Sequence, residues 1–206
     1  MARSNVLPDR LRPGLKLVFC GTAAGRKSAL EGAYYAHGQN KFWTTLYSVG
    51  LTPRLFLPHE YEMLWEYDIG LTDIAKFDFG MDHQLPKGAL GPDPAEALRK
   101  RIRKYAPHHL AFTSLNAGRS VMGRKAHLGR QPEKIGGTTV WILSSPSPLA
   151  ANHWDIGPWR DLAKAVGPGK SALMRQILWQ LTKQQQTLIV YDPAREYVER
   201  CSCLRT

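Results

Sequence analysis

The feature that most constrains this chain is the apolar run LKLVFC, residues 15–20, followed at once by the small-residue stretch GTAAGRKS, residues 21–28. A short buried strand that runs into small residues leaves backbone amides open to a ligand. The spacing is close to that of a phosphate-cradling loop: Gly21, four residues, then Arg26, Lys27 and Ser28. That motif needs glycine where Arg26 stands, because the backbone must wrap tightly around the phosphate. Arg26 instead puts a Cβ into the turn, and no acidic metal-binding residue ends another clear apolar strand in the usual way. The nucleotide-hydrolase reading is set aside, and the stretch is read as a loop for another ligand.

Helix and strand signals then alternate. Residues 40–50 carry Phe42, Trp43, Leu46 and Val49 on one stripe with Gly50 as a stop, which predicts a helix, and 58–67 predict a second, shorter one. Residues 68–75 read as a short apolar piece ending at a polar turn, and the Gly- and Pro-rich residues 78–94 as a loop. Pro94 opens the helix PAEALRKRIRKYAP, with Leu98, Ile102 and Tyr105 on one face. HHLAFTS and TTVWILSS are short β-branched or aromatic strands, with a helix over 117–125 between them and another, IGPWRDLAKAVG, after the second. The pattern predicts an α/β fold: a three-layer sandwich with a central, largely parallel short β-sheet flanked by helices. Ligands of such sheets bind beyond the carboxyl ends of the strands. The loops at 21–28, 72–78, 114–119 and 144–153 should therefore converge on one site. Residues 1–169 are assigned to this domain. Residues 170–206 are an accessory helix–strand extension, with Met174, Ile177, Leu178 and Leu181 in register and TLIVYD as a strand, either packed on the domain or binding a partner.

Composition narrows the partners. With 206 residues, 43% hydrophobic content, six Trp and eight Tyr, the chain can bury a sizeable core. No run approaches the roughly 18 apolar residues of a membrane span, and the N-terminus shows no apolar stretch behind its charges, so neither membrane nor secretion is expected. Three cysteines argue against a disulfide framework. Cys20 is a core candidate, and Cys201 and Cys203 lack a nearby His or third Cys, so no metal site is expected. A reducing bacterial cytosol or nucleoid is the expected compartment. The formal charge of +11, from 28 Lys and Arg against 17 Asp and Glu, favours a polyanionic partner.

Two blocks are more specific. Tyr35, Ala36 and His37 are followed, after two residues, by Asn40, Lys41, Phe42 and Trp43; Pro146, Ser147, Pro148 and Leu149 form a later block. Together with the Gly-rich stretch, these resemble the uracil-DNA glycosylase superfamily, with the closest likeness to the mismatch-specific uracil/thymine DNA glycosylases, from about Leu11 to about Val166. The resemblance implies a monofunctional, metal- and cofactor-independent enzyme, expected as a monomer, that flips uracil out of DNA and hydrolyses its N-glycosidic bond. Related alternatives are a glycosylase for hypoxanthine or mismatched thymine, and a catalytically weak DNA-damage-binding protein of the same fold. Flipping costs a few kcal/mol of stacking, which the protein offsets by refilling the gap and holding the base. By the resemblance, Leu149 is the wedge, Tyr35 stacks on the flipped base, and the backbone at Gly21, Thr22, Ala23 and Ala24 faces it, with amides at 22–25 stabilising charge on the leaving base. Arg26, Lys27, Ser28, Ser147 and Asn152 are candidates for phosphate contacts.

The chain also departs from the family. The loop Asn that holds the attacking water is replaced by Ala23, the following Pro by Ala24, and the second motif begins with Ser145 in place of Asn or His. Asp73 is the candidate replacement, able to orient water or stabilise an oxocarbenium-like sugar; the competing reading is a helix-cap or surface Asp. Ser145 and His153 complete the catalytic candidates, His153 having phosphate or minor-groove contact as its alternative. Asn116 either touches the base or a phosphate, or forms a simple turn. His37 reads as structural, Asn40 as a helix cap, and the run 99–104 as a solvated helix face. Arg119, Arg124, Lys125 and Arg130 are better placed for a DNA face.

Overall fold

The computed structural model describes residues 4–167. Its first strand, β1 (Leu17–Ala24), is buried along Leu17–Gly21 and continues past Gly21, where the sequence suggested a loop. The continuation has a partner. β2 (Ile69–Phe79) runs parallel to it with Gly21 opposite Asp73 and Ala23 opposite Ala75, before the register jumps to Ala24 opposite Phe79. The expected short apolar piece at 68–75 is thus an eleven-residue strand, and Asp73 lies inside it. The expected turn does not form there because both neighbours of β2 supply partners: β1 on one side and the N-terminal segment on the other, through the Arg10–Leu71 bridge and the Val6 N–H to Lys76 C=O bond.

Between these strands lie α1 (Arg26–Glu31), α2 (Phe42–Ser48) and a 3-10 segment over Pro58–Tyr67. The N-cap position of α2 is Lys41, and the carboxamide of Asn40, one residue earlier, accepts from the Phe42 N–H at 2.9 Å. α3 (Pro92–Tyr105) leads into β3 (His109–Phe112), and α4 (Leu115–Met122) is capped by Ser114, whose hydroxyl accepts from the Ala117 N–H. β4 (Gly129–Ile135) and β5 (Thr138–Ile142) form a hairpin, and α5 (Gly157–Val166) closes the described chain.

The sheet order is β2-β1-β3-β5-β4, parallel except for β4. β4 is the strand that the sequence reading missed. Its GRQPEKI has no apolar alternation and contains a proline, which an antiparallel edge strand tolerates. Strand alternation sends side chains to two separate cores. Leu17 and Phe19 pack with Phe42, Leu46 and Trp159 on the α2/α5 side; Val18 and Cys20 pack with Leu98, Ile102 and Val121 on the α3/α4 side. This is the expected three-layer α/β sandwich. Phe19 meets Phe42 edge-on at 5.2 Å and stacks near Trp159 at 5.6 Å, so the aromatic half of the core sits directly behind the carboxyl end of β1. Among the described residues no helix is long and apolar enough to cross a membrane. Residues 170–206, expected to form an accessory helix–strand extension, lie outside the described residues.

Candidate active site

The chain passes from β1 to β2 on one side and then crosses back to β3 on the other side of β1, so the strand order reverses between β1 and β3. Crevices at such switch points, outside the carboxyl ends, are where α/β sheets hold ligands. Here the β1–β3 ladder stops at Cys20 opposite Phe112, with one further bond from the Thr113 N–H to the Cys20 C=O. From Gly21 to Ala24, β1 pairs with β2 alone among the described residues. Its β3-facing edge therefore opens into the crevice.

Asp73, opposite Gly21 on β2, lies against this end of β1. It is 4% exposed, and a Cβ built on Gly21 would come within 2.5 Å of its Oδ1. Glycine at position 21 is what makes room for the carboxylate beside the β1 backbone. Burial raises the Asp73 carboxyl from 3.8 to about 6, partly opposed by nearby cations and by the Gly21 N–H donating to it. The group is thus ionised at neutral pH yet close to its titration point.

Tyr35 forms the facing wall. Its backbone is held at φ +52°, a left-handed conformation that a bulky side chain rarely adopts. Two contacts fix it there: the ring stacks on Phe42 at 3.8 Å and 14°, and its hydroxyl shares a 3.1 Å hydrogen bond with Thr113 Oγ1. Strain of this kind, about 1–3 kcal/mol, persists where the surroundings over-determine it, as at ligand sites. Across the mouth, the Asp82 carboxylate accepts from Thr22 Oγ1 at 2.6 Å and from Asn116 Nδ2 at 2.5 Å. One residue of the β2–α3 loop therefore joins the end of β1 to the start of α4.

Residues 8–163, well over half of the chain, match the Uracil DNA glycosylase superfamily. The chain belongs to the uracil DNA glycosylase superfamily. It is accordingly a DNA glycosylase, a hydrolase whose substrate is DNA.

Seen as a superfamily member, the chain brings some of the expected site residues together. Gly21, Asp73 and Tyr35 form one group around the end of β1, and Thr22 and Asn116 are joined through Asp82. Ala23 is half-buried and Ala24 buried within β1. Ser145 is half-buried and accepts from the Ser147 N–H at 3.3 Å, while Asn152 and His153 are exposed in the 3-10 turn Pro148–His153. Neither Ser145 nor His153 has a hydrogen bond or ion pair to Asp73 among the described residues. Leu149, 75% exposed, projects from the same turn, whose cap is the Ser147 hydroxyl.

Arg26 and Lys27 are exposed on α1. Ser28 is buried, and its hydroxyl accepts from the Ala36 N–H. Arg119 is exposed but spends its Nε–H on the Ala126 carbonyl. Within the run 99–104, Arg101 turns inward to donate to the Asp73 carbonyl at 2.8 Å, so that helix face is not wholly solvated.

Sequence reasoning missed Thr113 and Asp82. Both follow the carboxyl ends of strands, Thr113 directly after β3 and Asp82 three residues after β2, and that position was the available signal.

Proposed function

We propose that this DNA glycosylase excises uracil, with Asp73 as the working carboxylate. The observation that carries the reading is the buried Asp73 carboxylate seated over Gly21 near the carboxyl end of β1, where the side chain of Ala23 offers no polar atom. A carboxylate there orients a water toward C1′ of the flipped nucleotide and favours positive charge developing on the sugar. The water oxygen forms the new bond to C1′ as the N-glycosidic bond breaks, the proton the water loses passes to the Asp73 carboxylate, and the glycosidic electron pair leaves on the base. Backbone amides at 22–25 that face the crevice stabilise the departing anion without reorganising, and Tyr35 stacks on the base. Excision ends at the abasic site, because among the described residues the Asp73–Gly21–Tyr35 group holds no lysine to trap the sugar as an imine.

Single-turnover assays on duplexes carrying uracil, hypoxanthine or a thymine mismatch test this. Uracil release is expected, with Asp73→Asn slowing it roughly 10²–10⁴-fold, the usual weight of a positioned acid–base group. Faster release of hypoxanthine or thymine than of uracil would overturn the substrate assignment, and an unimpaired Asp73→Asn would overturn the role of Asp73.

A further inference from the structure

We infer that Asp9, Lys76 and Arg101 form a charge cluster behind β2 that positions Asp73 and holds it in its ionised form. The inference rests on Asp73 being the working carboxylate.

Lys76 lies three residues beyond Asp73 on the same strand and is 5% exposed. Its ammonium donates to the Leu7 carbonyl at 2.8 Å and pairs with Asp9 Oδ1 at 2.8 Å. The same Asp9 oxygen accepts from Thr72 Oγ1 at 2.6 Å, one residue before Asp73. Arg101 reaches in from α3. Its Nη2 donates to the main-chain carbonyl of Asp73 itself at 2.8 Å, and its Nε stands 3.8 Å from Asp9 Oδ2. The N-terminal segment, β2 and α3 are thus tied together at residues that flank Asp73 or belong to it.

Charge counting gives the cluster its second role. The other titratable groups near Asp73 are Cys20 on β1 and Tyr34 and Tyr35 before α2; burial pushes all three upward, so they stay neutral. Among the described residues the charged groups that act most on Asp73 are Lys76 and Arg101, opposed by Asp9. This assembly carries one surplus positive charge, and an ionised Asp73 cancels it. Asp73 is buried enough to prefer its proton, and the surplus cation opposes that preference. The arrangement requires opposite effects from its members. Loss of Lys76 or Arg101 makes ionisation of Asp73 harder, whereas loss of Asp9 makes it easier.

The experiment compares the full-length parent with Lys76→Met, Arg101→Gln and Asp9→Asn. Two readouts are followed: the pH dependence of single-turnover excision, and the NMR titration of the Asp73 side-chain carboxyl. The parent's acidic limb is expected near the Asp73 value of about 6. Lys76→Met and Arg101→Gln should each move limb and titration upward by roughly a pH unit, and Asp9→Asn should move both downward. A merely structural cluster would lower activity in all three without displacing the titration in opposite directions, and that result overturns the inference. Arg101 is partly exposed, so Arg101→Gln decides the matter if Lys76→Met does not fold. If excision in the parent and in Asp73→Asn is the same, the proposed role of Asp73 fails, while the NMR titration still tests the coupling.

Discussion

At Gly21 and Asp73 the absence of one side chain permits the placement of another. An alanine at 21 would drive its Cβ into the Asp73 carboxylate, so the two positions are read as a pair. The carboxylate itself is a burden on the fold. Its folded-state value of about 6 lies above its ordinary 3.8, so the folded protein holds this proton more tightly than the unfolded chain does. Stability from this group is therefore greatest in acid and falls as pH rises from about 4 through about 6, by roughly 3 kcal/mol for a shift of about two pH units. Asp73→Asn should stabilise the protein by up to that amount at about pH 7.5 and by little below about pH 4. Urea unfolding at the two pH values checks it, and an equal gain at both would mean that the charge is not what strains the fold. The sequence revealed Asp73 as a candidate but placed it in a loop. An acidic residue within an apolar run reads as the run's end, because lone buried carboxylates are uncommon. Only the pairing of β1 with β2 shows that the vacancy at Gly21 receives it.

The same limit appears at the level of elements. Strands whose own residues form apolar runs, such as β1, β3 and β5, were legible, as were the helices α2 to α5. β4 was not, because its stability comes from its β5 partner and not from its composition. The carboxyl half of β2 was hidden for a related reason: Lys76 and Asp78 look like turn residues, and only the Lys76–Asp9 pair and the Val6 N–H donated to the Lys76 carbonyl show how the segment is held. The β2–α3 loop was rightly expected to be irregular, yet its attachment through Asp82 had no sequence signature. Both Asp82 contacts are charge-assisted but exposed, so together they contribute on the order of 1 kcal/mol. Asp82→Ala should therefore lower global stability by about that much while clearly accelerating amide exchange over residues 80–91. Unchanged exchange there would show that the loop is held by something other than its bonds to Thr22 and Asn116.

For the whole molecule, a chain charge of +11 and a strand-end site put attraction to DNA and chemistry on DNA in one polypeptide. The two contributions can be separated by experiment. Phosphate contacts act through counterion release, so each adds about 0.9 to the slope of log affinity against log salt. An apolar wedge adds nothing to that slope, because it acts on stacking. Arg26 and Leu149 are the residues with which to separate them. Arg26 is exposed at the first position of α1, directly past the end of β1, and Leu149 is 75% exposed on the turn that follows β5. Neither side chain is buried in the core, so truncating either should leave the fold intact. Arg26→Gln should weaken DNA binding and reduce the salt slope by about 0.9, with little change in single-turnover rate at saturating protein. Leu149→Ala should leave the slope unchanged and slow excision about tenfold, since the unstacked gap is no longer filled. An Arg26→Gln protein with the parental slope would remove α1 from the DNA face. A Leu149→Ala protein that excises at the parental rate would mean that the base leaves the stack without a wedge from this turn.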